Sequence, residues 1–228
     1  IEKFPFQIND RNEDRIWYNK DLLIKHSPNE RPQKKWWVND FIYPQESSKY
    51  KIDKSGNLWE ASDAGLNILD SQDWTTIFDG FSFYSLCIDY KENIYVSTFP
   101  EMDEPGKILK YDYNSWDTIF ISPQSAEWVP CMHIDKDNNL WFGVLSRSAV
   151  GPEFGRGLYR YNGEIITNFN INNSGLSSNS VIDIAIDERN NKWIGTYGGG
   201  LCKVNNNNEW KIFNKQNTQM PFESVDNI

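Results

Sequence analysis

Three consecutive glycines, Gly198 to Gly200, have a type and spacing that could do chemistry. A glycine-rich loop binds phosphate when a helix follows it directly, because the N–H groups at the helix N-terminus then face the anion. Here the glycines precede LCKVNNNNEWKIF, which alternates, breaks at an asparagine run and has no helical period. The pattern predicts two β-strands joined by a turn. It places the glycines at a corner, where positive φ costs little.

Groups that could catalyse a reaction are few. The chain has two histidines, and His133 stands on a predicted strand without the positioned partner that acid–base chemistry needs. DKDNN resembles the start of a calcium loop, but position 12 counted from Asp135 is Ser146, where a bidentate glutamate is required. The HExxH, GxSxG and Walker A patterns are missing. The sequence therefore predicts no catalytic residue, no metal site and no cofactor.

These candidates lie within an internal repeat. Four times an Ile-Asp pair is followed by asparagine four residues after the aspartate and by an aromatic residue six residues after it. The aspartates are Asp53, Asp89, Asp135 and Asp187, and the aromatics are Trp59, Tyr95, Trp141 and Trp193. The aspartates are 36, 46 and 52 residues apart. This spacing indicates a unit of about 45 residues, joined by loops of variable length.

Each repeat can be built as a four-stranded antiparallel meander, because four β-prone runs alternate with turn residues. In the last repeat the strands are expected near 181–187, 192–197, 201–205 and 209–213, with almost no helix. One such sheet cannot cover both of its faces, so Trp59, Trp141 and Trp193 are expected in equivalent buried places between neighbouring sheets. The predicted fold is all-β, a β-propeller of about five four-stranded antiparallel blades.

A single β-propeller domain is expected over residues 1–228. The N-terminal stretch is predicted as a diverged blade, with RIWYNKDLLIKH as its second and third strands and Trp17 at the motif position. ESVDNI resembles the start of NSVIDIAID and is predicted as one further inner strand. That strand either closes the ring or begins a further blade of a larger propeller, of which the chain would be a fragment. The expected blades are 1–41, 42–80, 81–122, 123–170 and 171–214, followed by 215–228.

The last repeat resembles the two-component regulator propeller repeat, whose pattern is a strand, Asp-x-x-Gly-Asn, Leu-Trp-Ile-Gly-Thr, a glycine pair and leucine. The residues on that pattern are Asp187, Asn191, Trp193, Ile194, Gly195, Thr196, Gly199, Gly200 and Leu201. DKDNNLWFG and DKSGNLWEAS match in part, whereas DYKENIYVST departs from it. The resemblance covers about residues 48–213. It implies a periplasmic or extracellular sensor propeller, often part of a hybrid two-component system that detects glycans.

Charge, hydropathy and cysteine content exclude several function classes. The formal net charge is −9, whereas nucleic-acid binding needs a basic face. No apolar run is long enough to cross a membrane. Cys87, Cys131 and Cys202 form no CxxC pair, and an odd count is not a disulfide framework. Cys87 and Cys131 are predicted as small buried hydrophobic residues, although a bridge between them stays open as an alternative.

The candidate binding site lies in loops at one end of the blades. This end carries the corners between second and third strands and the connections into each new blade. The corner VLSRSAVGPEFGR is the longest, and the acidic corner FPEMDEPG lies at the same end. Either these corners carry the site, or the long corner is merely tolerated and the acidic residues form solvated surface. An aromatic ring with arginines and carboxylates nearby suits a sugar or another polar ligand with flat apolar faces. The predicted ligand-binding residues are Tyr84, Glu127, Trp128, Arg147, Glu153, Arg156 and Tyr197.

The predicted function is a non-catalytic ligand-sensing or binding propeller. Its expected partner is a small polar ligand or oligosaccharide, or a partner domain or subunit, and no nucleic acid. We expect Arg147 and Arg156 to be exposed, so that their replacement leaves stability nearly unchanged. One alternative is an enzyme like the streptogramin lyases, which have similar blades but use neighbouring His and Glu residues and a metal. The other is a protein–protein interaction scaffold, which a broad apolar patch would favour.

Overall fold

The structure is a computed structural model. It describes the backbone of residues 15–19 and 22–26, and the residues 49–70, 73–100, 103–146, 155–221, 223–225 and 228. Two compact units divide the chain at Pro44 and Gln45. In the first unit β1 (Arg15–Asn19) pairs antiparallel with β2 (Leu22–His26). This hairpin agrees with the prediction for RIWYNKDLLIKH, and the rest of the predicted first blade lies outside the described residues.

The described residues of the second unit form four antiparallel sheets, and each is built from strands that follow one another along the chain. Sheet A contains β3 (Lys49–Ile52), β4 (Leu58–Ser62), β5 (Gly65–Leu69) and β6 (Trp74–Asp79). Sheet B contains β7 (Phe83–Ile88), β8 (Ile94–Thr98), β9 (Lys107–Tyr111) and β10 (Trp116–Ile121). Sheet C contains β11 (Glu127–Trp128), β12 (Met132–Ile134), β13 (Leu140–Ser146), β14 (Gly155–Tyr161) and β15 (Ile166–Phe169). Sheet D contains β16 (Val181–Ile186), β17 (Lys192–Thr196), β18 (Gly200–Val204) and β19 (Trp210–Phe213).

The all-β prediction is confirmed, because the described residues contain only strands, turns and irregular segments. In sheet D each predicted strand lies within one residue of the observed one. Sheet C departs from the simple meander, since β11 and β12 both pair with β13. The extra strand β11 brings the connection SAEWVP into the sheet, and this connection carries two of the predicted site residues.

Side chains of neighbouring sheets form three hydrophobic cores, one between each consecutive pair. On the second strand of each sheet, successive residues point to opposite faces. The motif aromatic therefore points to the following sheet, and the residues on either side of it point to the preceding one. In sheet C, Trp141 packs with Ile184 and Ile194 of sheet D, whereas Leu140 and Phe142 pack with sheet B.

Gly200 shows why the glycine triplet is a corner. It precedes Leu201 at the start of β18 with φ of 80°, and a Cβ there would collide with the carbonyl oxygen of Phe213 on β19. Gly65 and Gly157 repeat this geometry, with positive φ and a phenylalanine carbonyl of their own fourth strand in the way. The corner interpretation is confirmed, because both the backbone conformation and the close approach require glycine.

One expectation about the tryptophans is wrong. Trp59 and Trp141 are 0% and 4% exposed, as predicted, but Trp193 is only partly buried. Tyr111 and Tyr113 of sheet B pack edge-on against Trp59, with ring centroids 6.5 and 5.9 Å away. The ring contacts of Trp193 come from its own sheet. Its burial is lower because no later sheet among the described residues packs against it.

Candidate functional site

Each motif aspartate closes the turn between the first two strands of its sheet. In sheet C, Asp135 Oδ1 accepts the backbone N–H groups of Asp137 at 3.0 Å and Asn139 at 2.9 Å, and Trp141 Nε1 donates to Oδ2 at 2.8 Å. The Asn139 side-chain amide lies 3.0 Å from both oxygens. DKDNN is therefore a β-turn, as predicted, and its carboxylate acts as an acceptor for the fold.

The same bonds recur in the other sheets. Trp59 donates to Asp53 at 3.0 Å and Trp193 donates to Asp187 at 3.1 Å, while the Tyr95 hydroxyl takes this place in sheet B. In sheet C a further donor joins, because Lys192 Nζ from sheet D lies 3.1 Å from Asp135 Oδ2. Both side chains of this ion pair are at most 5% exposed.

Hydrogen bonding shifts the pKa of three of these carboxyl groups. Burial acts to raise the pKa of Asp135, but the bonds from Trp141 and Asn139 outweigh it and lower the pKa below its ordinary value. The same balance lowers the pKa of Asp53 and Asp187. These aspartates stay ionised at neutral pH, because several donors stabilise the charged form.

We expect stability to be lost in acid. A depressed folded-state pKa adds stability above the unfolded value of about 3.9, and this stability disappears as pH falls toward the folded pKa. The melting temperature should therefore be nearly constant from pH 7 to about pH 5 and fall below about pH 4. Calorimetry across this range checks the expectation. The melting temperature of Asp187→Asn should fall less steeply with pH. If the unchanged protein melted at the same temperature at about pH 3 as at pH 7, the expected acid loss of stability would be wrong.

Neighbouring turns are linked by a hydrogen-bonded ladder. The side chain three residues after one motif aspartate accepts the N–H of the residue that follows the preceding motif aspartate. The bonds run from Lys54 to Glu92 at 2.9 Å, from Tyr90 to Asn138 at 2.8 Å and from Lys136 to Asn190 at 2.9 Å. The three acceptor residues have φ of 69°, 64° and 62°. The polar side chains of these turns therefore join neighbouring sheets to one another.

Aromatic side chains gather at the opposite end, where the predicted ligand face lies. Tyr84 packs edge-on against Trp128, with ring centroids 4.3 Å apart. Phe99, from the corner after β8, stacks on Tyr84 at 5.9 Å and meets Trp128 edge-on at 5.5 Å. Trp128 is 5% exposed, whereas Tyr84 and Phe99 are partly exposed. We call these three rings the aromatic cluster.

An ion pair is formed by the residue that precedes Trp128 in the chain. Glu127, the neighbour of Trp128, is 1% exposed and its carboxylate accepts Arg156 Nε. Arg156 Nη2 donates to Gln124 Oε1 at 2.5 Å, and the Gln124 N–H donates to Glu127 Oε2 at 3.1 Å. The guanidinium of Arg156 is therefore held in place by the connection into sheet C, with part of its surface still exposed.

The structure joins four of the seven predicted site residues in two contacting pairs, Tyr84 with Trp128 and Glu127 with Arg156. Arg147 and Glu153 lie outside the described residues. Tyr197 is 40% exposed at the corner of sheet D, and no described contact joins it to the other four. The expectation for Arg156 needs correction, because its replacement by alanine would leave the buried Glu127 carboxylate without its cation.

Two members of this site were not predicted. Phe99 lies in the acidic corner FPEMDEPG, and the bend after β8 turns its ring toward Tyr84. Gln124 stands 32 residues from Arg156, and nothing in the sequence pairs them. The sequence does show one aromatic residue at the corner after β8, Phe99, and another in the connection SAEWVP, Trp128. This pair of aromatics at the same end of the sheets is the sequence feature that could have indicated the contact.

The cysteines and histidines of the chain lie on strands of the fold or directly beside one. All three cysteines are free and buried, which excludes the Cys87–Cys131 bridge in this structure. Burial raises the pKa of Cys87 to about 12, so its thiol is protonated and unreactive at neutral pH. His133 lies on β12, as predicted. Among the described residues, no three His, Cys, Asp or Glu side chains are close enough to hold a metal ion.

Comparison with known proteins defines the class of the fold. No protein-family model and no curated protein matches the chain. Solved structures do match, and the extracellular domain of the hybrid two component system BT3049 from B. thetaiotaomicron is one of them. It is 22% identical, with a TM-score of 0.57, over 74% of this chain and 22% of that chain. At this identity the likeness shows the fold, which is the predicted β-propeller and fits the repeat resemblance.

Two further structures broaden the picture. PorZ, a surface component of the type-IX secretion system of Porphyromonas gingivalis, is 16% identical over 93% of this chain and 32% of that chain, with a TM-score of 0.63. Virginiamycin B lyase from Staphylococcus aureus is 14% identical over 73% of this chain and 54% of that chain, with a TM-score of 0.53. This chain thus spans less than a third of the length of the BT3049 domain and of PorZ. The part of the chain that the structure describes contains no helix able to cross a membrane.

Proposed function

We propose that the chain is the non-catalytic ligand-sensing propeller of a protein outside the cytoplasm. The fold shared with the extracellular domain of a hybrid two component system supports this role. The observation that carries it is that two consecutive residues of β11 support both the aromatic cluster, through Trp128, and the guanidinium of Arg156, through the buried Glu127 carboxylate. A partly exposed ring and a fixed donor at the same end of the sheets suit a polar ligand with a flat apolar face, such as a glycan fragment.

Different residues have different roles in this proposal. Tyr84 and Arg156 contact the ligand, because both remain partly exposed. Glu127 and Trp128 are buried and hold these two side chains in position. Arg147 and Glu153 belong to the longest corner. They are assigned to the site from the sequence alone. Tyr197 contributes from the corner of sheet D.

The alternative function is an enzyme, because virginiamycin B lyase has a similar fold. That chemistry needs a histidine with an acidic partner and a metal. The described histidine, His133, lies on an inner strand rather than at the ligand face. Incubation with quinupristin, the compound named with the lyase structure, tests this alternative: cleavage of quinupristin would replace the sensor proposal with a catalytic one.

The ligand face is tested with a double variant that leaves the net charge unchanged and leaves no unpaired buried charge. Glu127→Gln with Arg156→Met removes both members of the ion pair together, so that no charge stays buried. We expect this double variant to fold and to lose binding of glycan-array hits by about tenfold or more, since a charge-assisted hydrogen bond is lost. Arg189→Ala is the control, because it removes an exposed arginine at the opposite end of the sheets. Equal binding by the double variant and the control would refute this face.

A further inference from the structure

A second candidate site lies at the opposite end of the inner strands. A cavity of about 230 Å³ opens between β3, β7 and β12, next to the motif turns. Its walls include Lys51, Cys87, Met132 and His133. The three isoleucines that directly precede the first three motif aspartates, together with Tyr90, complete it. The cavity has ample room for a small organic molecule rather than a single water.

Two polar groups of this cavity, the Lys51 ammonium and His133 Nε2, are not used by the fold. Lys51 is exposed, and its ammonium has no hydrogen-bond or ion-pair partner in the part of the chain that the structure describes. His133 Nδ1 lies 3.1 Å from the Ile134 carbonyl oxygen, so this nitrogen carries the proton and donates. Nε2 makes no hydrogen bond among residues 49–228 that are described. One cation therefore remains available to a ligand, together with one imidazole nitrogen that accepts in neutral His133 and donates to an anion once it is protonated.

Charge decides which ligand fits. Lys51 is the only fully charged residue that lines the cavity, because Cys87 is a protonated thiol and burial lowers the pKa of His133. Asp183 on β16 acts on His133 electrostatically but is not part of the lining. The remaining walls are methionine, tyrosine and isoleucine side chains, which favour an apolar group.

We infer that this cavity binds a small carboxylate with an apolar body, with the carboxylate beside Lys51 and His133 and the body against Met132 and the isoleucines. The site is independent of the ligand face, since the two lie at opposite ends of the inner strands. A bound carboxylate stabilises the imidazolium form, so the pKa of His133 rises when the cavity fills.

Histidine NMR tests the inference directly. The chain has two histidines, His26 and His133, and His26→Gln assigns both signals. Sodium butyrate should shift the His133 signal saturably, in the millimolar range expected for so small a ligand, and raise its pKa. Sodium chloride at equal ionic strength should not do so, and 1-butanol should leave the pKa in place because it has no charge.

Two lysines on β3 provide the matched comparison. Lys51→Met removes the cation that lines the cavity, and we expect butyrate binding to weaken about tenfold or more. Lys49→Met makes the same change of charge two residues earlier, outside the lining, and should bind as the unchanged protein does. Equal binding by the two variants, or equal shifts with butyrate and chloride, would overturn the inference. Neither result bears on the ligand face.

Discussion

Replacement of Trp59 by alanine is expected to lower the free energy of unfolding by about 3–5 kcal/mol. Trp59 is fully buried, donates to Asp53 and is covered by Tyr111 and Tyr113 of sheet B. Its loss leaves a cavity between two sheets and removes a donor from a buried carboxylate. Urea unfolding monitored by circular dichroism measures the change.

Trp193→Ala is the matched comparison, because Trp193 has the same place in its repeat but is only partly buried. We expect a clearly smaller loss, since less apolar area leaves water when this side chain folds. If both variants unfold at the same urea concentration, packing between sheets is not what the motif tryptophan supplies.

Replacement of Asp135 by alanine should cost about as much, on the order of 3–5 kcal/mol, although it removes a smaller side chain. Lys192 is 5% exposed, and without Asp135 its ammonium is buried with no opposite charge. Trp141 Nε1 and the N–H groups of the turn also lose their acceptor. The same unfolding measurement applies.

A double-mutant cycle separates the ion pair from the turn. Asp135→Ala combined with Lys192→Met should be less destabilised than the sum of the single changes, because the buried cation disappears with its partner. Asp187→Ala is the control, since no lysine pairs with Asp187 among the described residues. Additive losses in the cycle would show that the Lys192 contact contributes nothing.

Local repetition made the fold predictable. The motif aspartate, asparagine and aromatic form one turn, so their spacing alone located the first two strands of every sheet. Gly200 precedes a leucine, as Gly65 and Gly157 do. This shared pair of residues predicted the corner between the second and third strands. These features depend on residues close in sequence, which is where pattern carries structural information.

The candidate sites were harder to predict because they depend on distant residues. Arg156 looked like an exposed ligand residue, but it pairs with Glu127 29 residues away and supports the connection into sheet C. Lys51 and His133 each stand two residues before a motif aspartate. That shared position was visible, but the cavity arises only when the inner strands lie side by side. Trp193 was misjudged because burial depends on a neighbouring sheet rather than on the repeat.

The ladder between turns gives a rule for rearranging the repeats by gene duplication or protein engineering. An incoming blade can engage the turn of the blade before it only if the third residue after its aspartate combines a left-handed backbone with an acceptor side chain, as Glu92, Asn138 and Asn190 do. Gly56 has the backbone, with φ of 88°, but no acceptor. The blades built on sheets B, C and D are therefore interchangeable at this junction, whereas a copy of sheet A could only be placed where no such bond is needed.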